Sequence, residues 1–433
     1  MSTDTFNVDQ TPRSSPSRAQ AFRVWLRIGL LSFGGPAAQI SLMHREIVDR
    51  HRWLDDKQFL NALSFCMLLP GPEAMQLATY AGWRLHGVVG GLVAGLLFLL
   101  PGAIIIFALA LIYAWFGDVP IVEVLFLGIK AAVIVIVIEA LLKVSQRALE
   151  LPEHWVLAAV AFMGIFFLAL PFPLIIVLAA VFGFVRAGKP RPQAQSMTPV
   201  PMKQTLTTVC IWLFIWWTPL IALGLWGQHQ LLHEVGMFFS QLAMVTFGGA
   251  YAVLTYLAQD AVEHYGWLTA GEMMDGLGLA ETTPGPLILV NEFVGFLAGF
   301  RQGGSIYGLF AVIVTLWATF VPCFLWIFAG APYIEWISTQ PRLRGAVTAI
   351  TAAVVGVILN LSIWFALHVF FTEVSMRHYG WLVVWQPELA SIEWKIVVLS
   401  ILCAWLVFRC KWNVASVLGF AALGGIISYL IPI

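Results

Sequence analysis

Apolar runs of about 20 residues recur from about residue 22 to the end of the chain, each closed by a short polar or Pro/Gly-rich interruption. They lie at about 22–43, 57–84, 87–117, 121–147, 154–170 and 173–186. Past a stretch at 188–204 rich in Pro, Gln and Lys they resume at about 206–228, 236–258, 267–297, 303–331, 344–371, 394–409 and 412–432. A hydrocarbon core about 30 Å thick demands runs of this length from spanning helices, so the pattern predicts an all-α polytopic membrane protein with about 13 transmembrane segments. Two of the runs carry Pro70-Gly71-Pro72 and Pro284-Gly285-Pro286. An unpaired amide is costly in hydrocarbon, and such a break survives only where it is buried in protein or lines a polar cavity.

The second set of runs repeats the first. A shift of 214 residues carries Phe33-Gly34-Gly35 onto Phe247-Gly248-Gly249, Trp53-Leu54 onto Trp267-Leu268, and the first Pro-Gly-Pro onto the second. A shift of 221 then matches Pro101 to Pro322 and Pro120 to Pro341. The run at 206–228 has no counterpart. The expected plan is a polar, disordered cytoplasmic tail at 1–21, a first repeat of about six segments at 22–187, a linker with one extra central helix at 188–235, and a second repeat at 236–433. Seven crossings between the two starts make the repeats inverted, an architecture of many secondary transporters. The basic residues then favour a cytoplasmic N-terminus about two to one. The exception is the group Arg45, Arg50, Arg52 and Lys57, which this count places outside. Re-entrant hairpins at the Pro-Gly-Pro segments would change that parity.

Composition narrows the chemistry. The chain is 60% hydrophobic with mean hydropathy +0.87, and 23 basic residues balance 23 acidic ones, which points to the bilayer and away from nucleic acid. The cysteines are scattered, without CxxC or metal-ligand spacing, and no nucleotide, flavin or metalloenzyme fingerprint is present, so no cofactor, metal or catalytic residue is expected. Without an ATP site, a gradient or the membrane potential must drive any transport.

After each break a helix restarts with Pro72 or Pro286 near its first turn, where a missing N–H costs nothing. The freed amides and partial positive charge there suit an anion. The candidate oxyanion site therefore comprises Pro70, Gly71, Pro72 and Gln76 from the first break, and Thr282, Thr283 and Gly285 from the second. Gly34, Gly35, Gly248 and Gly249 either form a second wall of this site or serve helix packing. Lys130, in the middle of its segment, is a counter-charge for the anion or the partner of Glu123 or Glu139. Glu73, Glu281 and Glu292 are candidates for a coupling proton, although Glu73 also suits its own helix end.

Phe33-Gly34-Gly35-Pro36 and the run from Pro70 through Glu73-Ala74-Met75-Gln76 to Ala78, with Tyr80 and Gly82-Trp83, resemble the chromate ion transporter family in its long two-domain form. The resemblance covers nearly the whole chain after residue 20. It implies a multi-pass protein of the cell inner membrane that exports chromate, confers chromate resistance and draws on the membrane potential or proton gradient. Sulfate, a tetrahedral dianion of similar size, is implied as competitor or counter-ion, and protons and self-association stay open as further partners. A sulfate transporter, a chromate/sulfate exchanger and a passive oxyanion channel remain alternatives; a chromate-reducing enzyme would need a cofactor ligand set that the chain lacks. The second copy departs from the first: Ala250 stands for Pro36, and Leu287-Ile288-Leu289-Val290 for Glu73-Ala74-Met75-Gln76. The first break therefore carries more weight.

Overall fold

The computed structural model describes residues 16–117, 119–188, 202–225, 227, 229–338 and 340–430. Most of the expected tail and of the 188–204 linker lies outside these residues. The protein is all-α and polytopic, with one short β-hairpin, β1 (Val374–Tyr379) and β2 (Leu382–Pro387), at one end of the bundle. Glu73–Phe116, Pro120–Ala148, Met202–Leu225, Leu287–Tyr333 and Pro341–Phe370 are long and apolar enough to cross a membrane, and shorter apolar helices accompany them. Their outward faces expose Ile104, Val160, Val185, Phe214 and Ile306, as suits contact with lipid.

The first repeat opens with α1 (Arg18–Leu31), started by Ser17, whose side chain accepts from the Gln20 amide. Gly34 and Gly35 then adopt φ of 84° and 78°, and α2 (Gly35–His44, continued by a π-turn at Arg45–Arg50) runs back beside α1. Arg27 reaches Glu46 at 3.8 Å, and the rings of Trp25 and Trp53 lie 6.4 Å apart. The run at 22–43 is thus part of a re-entrant hairpin, because two left-handed glycines followed by a proline reverse the chain instead of bending it.

The Pro-Gly-Pro run behaves likewise. α3 (Asp56–Cys66) leads into it, Gly71 has φ 118°, and α4 (Glu73–Phe116) leaves it. α4 is itself two arms, since His86 and Gly87 are non-helical. The arms pack antiparallel, Gly82 against the Gly90 carbonyl and Gly95 against Thr79. His86 Nε2 lies 2.8 Å from the Pro16 carbonyl, so the short arm returns to the end of the bundle where α1 begins, the near end. Only the long arm of α4 then crosses to the far end. There Trp115 meets Ser305 at the turn between the two arms of α12 (Val290–Gly330), where Gly303 and Gly304 are non-helical.

α5 (Pro120–Ala148), α6 (Pro152–Phe166) and α7 (Phe172–Arg186) run back and forth, and α8 (Met202–Leu225) carries the chain to the far end. Its direction is fixed by Thr205 against Tyr333 and Trp216 against Trp317, antiparallel to the long arm of α12. The second repeat follows from the far end. α9 (Gln230–Val245) and α10 (Ala250–Gln259, with a π-turn at Asp260–His264) form one hairpin; α11 (Ala270–Thr282), a 3-10 turn at Leu287–Leu289 and the short arm of α12 form the other. Then come α13 (Ile334–Ser338), α14 (Pro341–Phe370), the β-hairpin, α15 (Trp394–Phe408) and α16 (Val414–Leu430).

The contacts therefore replace the expected broken spans by four re-entrant hairpins. The helices that run from one end of the bundle to the other are the long arms of α4 and α12 together with α5, α6, α7, α8, α14, α15 and α16. Five of them, from the long arm of α4 to α8, separate the two starts. Five is odd like the expected seven, so the changed count is still compatible with inverted repeats. The repeats also interleave. Gly128 of α5 lies against the Ala421 carbonyl of α16, and Gly356 of α14 against the Ala158 carbonyl of α6; in each case a Cβ would meet backbone within 2.0 Å. Small residues at these crossings let backbones approach where lipid offers no hydrophobic drive.

Candidate functional site

The four hairpin tips cross-pair between the repeats. The Gly71 amide donates to the Thr246 carbonyl, the last residue before Phe247-Gly248-Gly249, and the Gly285 amide donates to the Ser32 carbonyl, just before Phe33-Gly34-Gly35; both bonds are 2.8 Å. Each tip of one repeat is thereby tied to the complementary tip of the other. Each long arm adds a wall: Gly102 Cα sits 3.5 Å from where a Cβ on Gly285 would lie, and Cys323 Sγ lies 2.8 Å from the equivalent point on Gly71. Two helix starts meet in each cluster, those of α4 and α10 in one and of α2 and the 3-10 turn before α12 in the other. Their first-turn amides have no partner within their helices, which gives both clusters partial positive charge.

The sequence candidates divide on this geometry. Pro70, Gly71, Pro72 and Gln76 join Gly248 and Gly249 in one cluster; Gly34 and Gly35 join Gly285 in the other. The Gly71 and Gly285 amides, expected to face the anion, are taken up by the cross-pairing, which leaves the first-turn amides of α4 as donors. Gln76 is fully buried; its Nε2 donates to the Pro70 carbonyl at 2.7 Å and its Oε1 has no partner. The Thr282 and Thr283 hydroxyls donate back to Leu279 and Ala280.

Lys130 stands apart from both clusters. Its Nζ lies 3.4 Å from Asp275 Oδ2, which also accepts from the Tyr113 hydroxyl at 2.8 Å. Its partner is Asp275, in place of Glu123 or Glu139. Glu139 instead pairs with Lys143 at 2.7 Å. The carboxyl candidates differ as well. Glu73 is half-buried at the start of α4, and Glu281 accepts from the Tyr251 hydroxyl. Glu292 is 1% exposed and neither of its oxygens has a partner.

Several site residues escape the motif reading. Gln39 bridges the second cluster, donating to Gly285 O at 2.6 Å and to Ser32 O at 3.3 Å. Asp275 holds Lys130, and Tyr251 holds Glu281. Asp275 carried a signal, because it is an ionisable residue inside the 267–297 run and such residues default to functional or paired roles. Gln39 and Tyr251 carried none, since a polar tip in an apolar run shows its partner only when the hairpins are docked.

Comparison with known proteins agrees with this architecture in extent. The family model described as Chromate transporter matches residues 19–184 and 233–426, one match per repeat and none on α8. A chromate transport protein of Pseudomonas aeruginosa is 31% identical over 92% of this chain and 95% of its own length. One from Cupriavidus metallidurans is 30% identical over 78% of this chain and 80% of its own, and a probable chromate transport protein of Synechococcus elongatus is 28% identical over 79% and 83%. No solved structure matches the chain. With the family model covering both repeats and these relatives spanning most of the chain, the protein belongs to the chromate transporter family.

Proposed function

We propose that the protein exports chromate from the cytoplasm by secondary active transport, holding the anion at the first break, between the start of α4 and the Gly248-Gly249 tip. The observation that carries this reading is the cross-pairing of hairpin tips. It brings two helix starts from opposite repeats, two glycine-bearing tips and Gln76 together in one cluster, with no fixed cation beside them among the described residues. A dianion there is held by amides and helix dipoles, which bind without the deep well that a buried guanidinium would create. Residues 22–187 and 236–433 act as the two repeats of this machine, with 188–235 joining them.

Orientation follows from the same hairpins. Because both hairpins of the first repeat return to the near end, Arg45, Arg50, Arg52 and Lys57 move to the side of the N-terminus. Among the described residues only Arg301, Arg377 and Lys395 remain at the far end, with Lys130 inside the bundle. Under the positive-inside rule this distribution supports a cytoplasmic near end more strongly than a thirteen-crossing count does. The coupling ion in this reading is a proton, carried by Glu73, Glu281 and Glu292, of which Glu292 has no protein partner to hold its charge.

Chromate uptake by everted vesicles tests the proposal, energised and then uncoupled, with and without excess sulfate, for the wild type and Glu73→Gln. Uncoupler-sensitive accumulation, inhibited by sulfate and lost in the variant, is the expected result. Flux that only runs downhill would make the protein a channel, and unaltered coupling in the variant would remove Glu73 from the mechanism.

A further inference from the structure

The near end carries a cavity of about 370 Å³ that none of the midplane chemistry uses, lined by Arg23 and Arg27 of α1, by Glu46 and Arg50 of the following π-turn, by His51, and by Ser17 and Gln20 at the start of α1. Three guanidinium groups and one carboxylate leave it with a net positive charge. Glu46 is buried and shared: Arg27 lies 3.8 Å from it, Arg50 3.3 Å and His51 3.8 Å. Among the described residues Arg23 has no ion-pair or hydrogen-bond partner. The first-turn amides of α1 add their partial positive charge at the same wall. We propose that this cavity is a capture site for a tetrahedral dianion, the first station for substrate before the midplane; the role rests on the transport reading above.

The second repeat supplies an internal control. It builds the same hairpin with the same π-turn and the same closing tryptophan, Trp267 for Trp53, yet shifts of 214 residues put Met237 at Arg23, Gln241 at Arg27, His264 at Arg50, Tyr265 at His51 and Glu234 at Gln20. Asp260 and Glu263 stand for Glu46 and Asp49. Hairpin geometry therefore does not demand the arginines. Topology alone does not demand their convergence either, because a charge that merely marks the cytoplasmic side serves equally well on the rim, whereas these three surround one concavity. Clefts lined by one sign of charge concentrate counter-ions and raise on-rates, with a steep dependence on ionic strength. A basic cavity at the near end alone would load the dianion from that side.

The test uses the full chain in phosphatidylcholine nanodiscs, titrated calorimetrically with sulfate, beside chromate transport in vesicles. The double variant Arg23→Gln/Arg50→Gln should lose one sulfate-binding event and raise the chromate KM about tenfold with kcat retained, and its rate should depend less on salt. Arg23→Lys/Arg50→Lys keeps the charge and should restore most of the binding, which separates charge from damage to the fold. Wild-type binding and KM in the glutamine variant overturn the inference. So does a KM change confined to vesicles containing phosphatidylglycerol, which would assign the cavity to lipid headgroups. A wild type that binds sulfate here but moves no chromate refutes the transport reading alone.

Discussion

The two Pro-Gly-Pro breaks have nearly the same backbone and quite different surroundings. Gly71 and Gly285 have φ of 118° and 98°, and each donates its amide across the repeat boundary over 2.8 Å. Pro70, Gly71, Pro72 and Glu73 are nevertheless half-buried, whereas everything from Thr283 to Val290 is buried. In the second copy Leu289 fills the space beside Gly102 and Gly285, and the restart is a 3-10 turn of Leu287, Ile288 and Leu289 with no polar side chain. In the first, Glu73 opens the helix and Gln76 caps Pro70. The two copies share the geometry that closes the fold, while only the first restarts its helix with polar side chains, Glu73 and Gln76 standing where the second has Leu287 and Val290. On the proposed reading, one break works as scaffold and the other offers its groups to substrate.

The largest effect expected is on the scaffold side. α11, which leads to the second break, is pinned by Asp275 between Lys130 and Tyr113, whereas the first repeat has Asn61 at the equivalent position. Lys130→Met strands a buried carboxylate and should cost about 3–5 kcal/mol, read as a fall in thermal stability in detergent. Adding Asp275→Asn should recover most of the stability and also the transport. If the double variant is stable but no longer moves chromate, Lys130 serves the anion and the division of labour between the breaks is wrong.

Alanine at the two glycines comes next. A residue with a side chain at positive φ pays about 1–2 kcal/mol, and a Cβ on Gly71 would also press on Cys323 Sγ and Gln76 Nε2 at 2.8 Å, one on Gly285 on Leu289 Cδ1 at 2.9 Å. Both variants should melt earlier by similar amounts. Transport per folded molecule should fall much further for Gly71→Ala. Equal losses would erase the distinction between the breaks.

Gln76→Val copies the second break onto the first, since Val290 occupies the matching position. The Pro70 carbonyl then loses the amide that satisfies it, a change worth about 1–3 kcal/mol for a buried acceptor. Part of that loss should appear as a chromate KM raised roughly tenfold in vesicles. A KM left unchanged would mean that Gln76 only props the tip.

Much of this was legible in the chain and the missing part has a definite cause. The repeat at 214 residues, the Pro-Gly-Pro and Phe-Gly-Gly interruptions and the all-α membrane class are local patterns, and local patterns survive in sequence. Whether an interrupted helix kinks or reverses is decided by two or three backbone angles, such as those at Gly34 and Gly35, together with what the tip meets across the bundle. Gly71 with Thr246 and Gly285 with Ser32 are separated by far more chain than any spacing rule covers, so the use of the two glycine amides as ties was out of reach. The group from Arg45 to Lys57, which the thirteen-crossing count places against the positive-inside rule, was the visible sign of strain in that count. Lys130 stands out in the chain as a charge inside the apolar run Pro120–Ala148. Its partner was not found, because Asp275 sits in the other repeat.

The smallest effect belongs to the near end and extends the comparison to the outer ends of the two hairpins, where the first repeat has Arg23, Arg27 and Arg50 and the second has Met237, Gln241 and His264. His51 stacks on Trp53 at 5.0 Å, and burial holds its pKa below the ordinary 6.5 against the opposing pull of Glu46, with Arg50 and Arg27 adding to the depression. It is therefore neutral at pH 7. As the pH falls through that depressed value His51 gains a proton, and two consequences follow with opposite sign. The protonated ring is less favourable in the fold than in the unfolded chain, so the stability it contributes above pH 6.5 is lost on acidification. The cavity meanwhile gains a positive charge facing Arg23, Arg27, Arg50 and Glu46, which favours a dianion. Sulfate stays doubly charged across this range and isolates the protein's titration from that of the ligand. Its affinity for the wild type should rise about two- to fivefold as the pH falls from 7 through that depressed value, the size expected of one partly exposed charge, and the rise should vanish in His51→Gln. The far-end equivalent, Tyr265, offers no such titration, so a pH-dependent gain that survives His51→Gln would mean the anion is held elsewhere than in the basic cavity.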